Sequence, residues 1–212
     1  MKKNICGIFV SVMSTLMLLT VSLSAQTIDD SLVSWSQYTG KSAFTIMLPS
    51  TLELRKPEDA YSQNIICSND AIVFQQKGLS HFDSPALKKY CRIIINYQKG
   101  EYGDFLKSTE TEVIDAESRN ILEQIVISNI GSASRLMDPI SYSWTMVRGS
   151  KCLQIDYRRT GKNFDTTIPV ICRMAIFQND NEMVIMTLAY REKEADLWKN
   201  DFEKVFKSFR WI

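Results

Sequence analysis

The sequence predicts an α+β domain: a central antiparallel β-sheet with flanking helices. Three observations carry this expectation. Residues 90–98 alternate, with Cys91, Ile93, Ile95 and Tyr97 on one side and Arg92, Ile94, Asn96 and Gln98 on the other, the two-residue period of a strand with one strongly apolar face. Four strand-like runs then follow in succession between residues 141 and 190, joined only by short polar turns, whereas parallel strands would need long crossovers. The chain closes on apolar residues spaced by three and four, the period of an amphipathic helix.

Composition narrows the function classes. The chain has 212 residues, 45% hydrophobic and 23% charged, with 8 Gly and 5 Pro, which suits one folded domain that buries a core without staples. Lys and Arg number 25 against 24 Asp and Glu. Removing Lys2 and Lys3 with the leader described next gives 23 against 24, a net charge of −1. Such a balance lacks the basic footprint expected of a nucleic-acid or anionic-membrane binder. His81 is the single histidine, so mechanisms and metal sites needing two are excluded.

The amino terminus reads as an export signal over residues 1–25. Lys2-Lys3 precede an apolar run from Ile5 to Val21, and Ser22-Leu23-Ser24-Ala25-Gln26 supplies the small residues of a cleavage site. Cleavage after Ala25 fits best, with Ser24 as the alternative, and an uncleaved anchor is the competing reading. The expected product is periplasmic or secreted, with no stable membrane span after cleavage. Cys6 lies at the start of the apolar run rather than at the cleavage point, so a lipid anchor is not expected.

Residues 26–42 form a polar leader anchored by Leu32, Val33, Trp35 and Tyr38, and residues 43–212 form a single domain with no linker or repeat. Ala43–Leu48 reads as a strand stopped by Pro49, and Leu52–Ser62 as a loop or a single helical turn. Ile65–Cys67 and Ala71–Gln75 are short apolar runs divided by Ser68-Asn69-Asp70. Thr109-Glu110-Thr111-Glu112 fits a capping box, which predicts a helix from about Thr109 with Ile114, Ile121, Leu122 and Ile125 on its apolar stripe and Gly131 as its end. The four strands of the meander are Ser141–Arg148, Lys151–Arg159, Pro169–Gln178 and Met183–Tyr190. The final helix begins near Glu192 and carries Ala195, Trp198, Phe202, Val205, Phe206 and Phe209 on one stripe, predicted to pack across the sheet.

This order, with Phe44-Thr45-Ile46-Met47-Leu48-Pro49 opening the domain and Phe202, Phe206, Ser208 and Phe209 closing it, resembles the PsbP-like and DcrB-like superfamily, whose fold is shared with a Ran-binding nuclear import factor. The resemblance spans about residues 43–212. It implies an α/β/α sandwich that docks to larger assemblies or, in some envelope members, takes part in lipid-related binding. The matching segments are core and boundary features and hold no catalytic group.

Candidate chemistry is sparse, and neither catalytic, cofactor-binding nor metal-ligating residues are assigned. If Gly161-Lys162-Asn163 centres a tight hairpin on residue 162, Cys152 faces Cys172 and the pair can form a disulfide, leaving Cys67 and Cys91 as a second pair; four buried thiols are the alternative. No CxxC motif is present. His81-Phe82-Asp83 is too small a ligand set for a metal, and no G-x-S-x-G elbow supplies a nucleophile. Carboxylates from Glu101 to Glu117 are accounted for by a helix start. Trp144, on an alternating strand, is the aromatic best placed to stack on a ligand.

The resulting expectation is an exported, non-enzymatic binding or adaptor module of the cell envelope, needing no cofactor, whose partner is an envelope protein and not nucleic acid. A carrier of a small apolar ligand or lipid, lined by Trp198, Phe202 and Phe206 between sheet and closing helix, is the first alternative. A hydrolase without a recognisable motif is the second.

Overall fold

The computed structural model describes residues 33–55, 71–79, 89–100, 114–131, 134–161 and 168–212. The export signal and its cleavage site, Cys67, His81 and the capping box at 109–112 lie outside these residues. In chain order the elements are β1 (Trp35–Gly40), β2 (Phe44–Pro49), β3 (Leu52–Leu54), β4 (Ile72–Gln76), β5 (Cys91–Lys99), α1 (Ala116–Ile130), β6 (Ser141–Val147), β7 (Ser150–Thr160), β8 (Pro169–Asn179), β9 (Glu182–Arg191), a 3-10 turn at Glu192–Glu194, α2 (Ala195–Ser208) and β10 (Arg210–Trp211). Among the described residues no helix is long and apolar enough to cross a membrane.

Seven strands form one antiparallel sheet in the order β3-β4-β5-β9-β8-β7-β6. The predicted meander occupies one half as β6 to β9, and β9 then pairs along its length with the alternating strand β5. A second, three-stranded sheet has the order β1-β2-β10. The fold class is therefore α+β with an antiparallel sheet between helices.

Both faces of the large sheet are covered, which explains why its central strands alternate less cleanly than a half-exposed strand would. One face carries Cys91, Ile93, Ile95, Ala175, Phe177, Met186 and Leu188 under Trp198, Phe202, Val205 and Phe206 of α2. Phe44, Ile46 and Leu48 of β2 close the same cluster. The opposite face carries Leu153, Ile155, Cys172, Met174 and Ile176 under Leu122, Val126 and Ile130 of α1. Fully burying a side chain of this size stabilises a fold by about 1.5–3 kcal/mol, so the two layers dominate the fold energy.

Several local expectations are corrected. Helix α1 begins at Ala116, not near Thr109, because Asp115 is the cap: its carboxylate accepts the Ser118 N–H at 2.7 Å. Its buried stripe is consequently Leu122, Val126 and Ile130, while Ile121 is 56% exposed. Gly131 does end it, at φ 69°. Part of the polar leader is strand β1, residues 52–54 are edge strand β3 rather than loop, and a short β10 follows α2. β3 and β10 depend on partners distant in sequence, and β1 is a mostly polar strand that forms as the hairpin partner of β2, so local pattern hides them. Gly40 is required where β1 meets β2, since a Cβ there would lie within 2.2 Å of the Phe44 ring.

Candidate functional site

The α2 face of β7, β8 and β9 changes character toward the end where β9 runs into α2. Asp156 pairs with Arg173, and Arg173 with Leu188, in one cross-strand row; Arg158, Ile171 and Tyr190 form the next. Ala195, Lys199, Phe202 and Glu203 project over these rows from α2, at the helical spacings that put them on one stripe. Asp138 and Pro139 complete the wall, held there by the Leu136–Arg159 bridge and by the Met137 N–H donating to the Arg158 carbonyl at 2.9 Å. Together they enclose an open cavity of about 460 Å³.

Two arginines organise its polar side. Arg173 donates to Asp156 at 2.8 Å and to Glu203 at 2.7 Å, tying β7 and β8 to α2. Arg158 donates to Asp138 at 2.8 Å and to Glu192 at 2.9 Å. Burial alone would raise the Glu203 carboxyl, but the hydrogen bonds from Arg173 and Lys207 outweigh it and hold it below its ordinary value. Burial would likewise lower Arg173, yet its carboxylate partners raise it. The Tyr190 phenol is pushed up by burial, and its ring meets Phe202 edge-on at 5.5 Å. The cavity thus has an apolar floor of Ile171, Leu188, Tyr190 and Phe202 beside charges held in ion pairs, an arrangement suited to binding. Asp156 and Glu203 are both engaged by Arg173.

The residues singled out from sequence fall in different places. Phe202 lines the cavity, whereas Trp198 and Phe206 are 2% and 3% exposed and packed into the core. The space expected between sheet and closing helix is filled by side chains, including Phe177, which stacks on Phe209. Cys152 and Cys172 do not face each other: Cys152 lies opposite Phe177 and Cys172 opposite Tyr157. The turn is not centred on residue 162, since Thr160 pairs with Pro169 and the Gly161 N–H donates to the Ile168 carbonyl at 3.1 Å. That displacement of five also puts Cys152 on the α2 face and Cys172 on the α1 face. Five residues of strand span about 16 Å, far beyond disulfide reach. Cys91, Cys152 and Cys172 are buried free thiols.

Burial raises the thiols of Cys91 and Cys152, the latter to about 12, which disfavours the reactive thiolate at both. Trp144 faces the α1 side, with the Lys151 ammonium 4.6 Å from its ring centroid. Of the predicted carboxylate cluster, Asp115 and Glu117 are described and sit at the start of α1 as expected of dipole and capping partners. Among the described residues no three His, Cys, Asp or Glu side chains could share a metal ion. The cavity residues Asp156, Arg158 and Arg173 were not singled out, although charges on the inward face of strands between apolar neighbours are a readable signal of a polar site.

No protein-family model matches the sequence, and no curated protein matches it. Solved structures do match. Cyanobacterial PsbP (CyanoP) from Synechocystis superposes with a TM-score of 0.52 at 13% identity, over 84% of this chain and 93% of that one. A protein from Bacteroides thetaiotaomicron overlaps with a TM-score of 0.43 at 11% identity, over 83% of this chain and 48% of its own. LpqN, involved in cell envelope biogenesis of Mycobacterium tuberculosis, gives 0.42 at 10% identity, over 84% and 91%. The CyanoP superposition, agreeing with the antiparallel sheet between two helices, shows that this chain has a PsbP-like fold.

Proposed function

We propose that the chain is an exported, non-enzymatic binding or adaptor module of the cell envelope and that the cavity between α2 and the β7–β9 end of the sheet is where its partner docks. The observation that carries this reading is the double arginine clasp, Asp156–Arg173–Glu203 and Asp138–Arg158–Glu192, standing beside Ile171, Leu188, Tyr190 and Phe202. The ion pairs tie the walls together around a concave site whose lining is apolar beside them, the combination that suits a binding pocket. Export rests on the basic, apolar and small-residue succession at the amino terminus. Absence of catalysis is supported by the raised thiols and by the engagement of Asp156 and Glu203 with Arg173.

A photo-crosslinking amino acid at Lys199, on the cavity rim, tests the docking site against the same group at Lys41, at the turn after β1. Adducts from the native envelope formed at 199 and absent at 41 support the reading; equal labelling at both sites, or none, overturns it. The apolar floor also favours the carrier of a small apolar ligand as a second reading. In native mass spectrometry a co-purifying small molecule, lost in an Ile171→Asp variant that keeps the wild-type melting temperature, selects the carrier over the adaptor.

A further inference from the structure

The two edges of the seven-stranded sheet are built differently. Edge strand β3 has three residues and carries a charge at its centre, the half-buried Glu53, whose carboxylate accepts from the Gly78 N–H at 3.1 Å; short length and a charge are ordinary protections against unwanted strand pairing. Edge strand β6 has neither. Its seven residues, Ser-Tyr-Ser-Trp-Thr-Met-Val, contain no charge, no Pro and no Gly, and are rich in aromatic and β-branched side chains. Ser141, Ser143 and Met146 are exposed, Met146 at 63%. Among the described residues no strand lies beyond β6, so its outward N–H and C=O groups have no strand partner there.

The order of side chains on β6 is also close to self-complementary. Alternation puts Tyr142, Trp144 and Met146 on the α1 side, with Ser141, Ser143, Thr145 and Val147 on the other. A second β6 running antiparallel about a two-fold axis through Trp144 sets Tyr142 against Met146 of the second copy, Trp144 against its counterpart and Ser143 against Thr145. Each is a favourable cross-strand combination of aromatic, thioether or hydroxyl groups. A two-fold axis normally brings like charges of the same strand together, and here there are none to repel.

We propose that β6 is a self-association edge, at which a second copy of this chain adds its own β6 antiparallel and joins two seven-stranded sheets into one. The pairing satisfies the outward backbone groups and covers Met146, and it leaves the cavity beside α2 to the partner proposed above. This inference does not depend on that reading.

Sedimentation of the purified chain from about 1 μM to about 1 mM is expected to show mass doubling with concentration. Hydrogen exchange over the same range should show added protection of amides in residues 141–147. Ser143→Lys and Met146→Lys, on opposite faces of β6 and both at exposed positions, should each weaken the dimer by about tenfold or more while melting as the wild type does. Mixing Ser143→Lys with Thr145→Glu should restore a heterodimer, because the proposed register sets these positions opposite. A monomer throughout the range, including one that captures extended peptides of other proteins at β6, overturns the proposal. A dimer that survives both lysine variants overturns it as well, since another surface would then hold it.

Discussion

Phe177 of β8 and Phe209, directly after α2, stack with ring centroids 3.7 Å apart and planes 12° from parallel. The contact joins the large sheet to the point where the chain leaves α2 for β10, and Phe44 of β2 also stacks with Phe209, at 5.8 Å. Phe209 is fully buried. One ring therefore holds together the large sheet, the small sheet and the closing helix.

Phe209→Ala removes that shared ring and should cost about 3–5 kcal/mol, a large part of the about 5–15 kcal/mol that stabilises a domain. Chemical denaturation is expected to show a much lower midpoint with little change in slope. A midpoint near that of the wild type would mean that the small sheet is not tied to the core through this residue.

Phe202 touches both core and cavity, whereas Trp198 is core alone. Trp198→Ala and Phe202→Ala should both lower the melting temperature markedly. Phe202→Leu, which keeps most of the apolar volume, should melt closer to the wild type yet alter crosslinking from position 199. If both alanine variants keep the wild-type melting temperature, the closing helix is not the core element described here.

The cysteines carry a redox expectation. Cys91, Cys152 and Cys172 are buried with no bridge among them, so peptide mapping of the native chain should return all three as thiols. Alkylation at neutral pH should be slow in the folded chain and complete in denaturant, as burial and the raised thiol pKa values of Cys91 and Cys152 require. A Cys152–Cys172 bridge recovered from folded protein would contradict the β7–β8 register.

Glu203 gives a pH dependence of definite sign. Its folded carboxyl lies below the ordinary value of 4.5, so it contributes stability above that pH and loses it as the pH falls through the folded value. Glu203→Gln should therefore flatten the acid limb of the stability curve and change little at pH 7 beyond the modest worth of a partly exposed ion pair. An acid limb of unchanged steepness would show that Arg173 does not hold Glu203 in solution.

Asp115 caps α1 through the Ser118 N–H, and this contact also lowers its carboxyl. Asp115→Ala should lower the melting temperature, Asp115→Asn should restore most of the loss, and Thr109→Ala should leave α1 unaffected. Helix protection measured by hydrogen exchange separates the two candidate caps.

Much of this architecture is written locally. The strands of the meander are legible because turn residues such as Gly149 and Asp180-Asn181 punctuate apolar runs, and α2 because Trp198, Phe202, Val205 and Phe209 recur at the helical period. Those signals depend on backbone geometry and side-chain polarity, which a residue carries wherever it lies. Pairing is different. Strands β1 and β10 exist because β2 stands between them, and the β7–β8 register follows from which faces α1 and α2 bury rather than from the turn residues alone. The cavity is decided later still. Asp156 and Arg173 are 17 residues apart, and Glu203 is 30 beyond Arg173, so only the stacking of β7, β8 and α2 brings the three charges into one clasp. Local pattern determined the meander strands and the covered face of α2, while long-range pairing decided which residues meet, because a sequence window contains no information about a partner outside it.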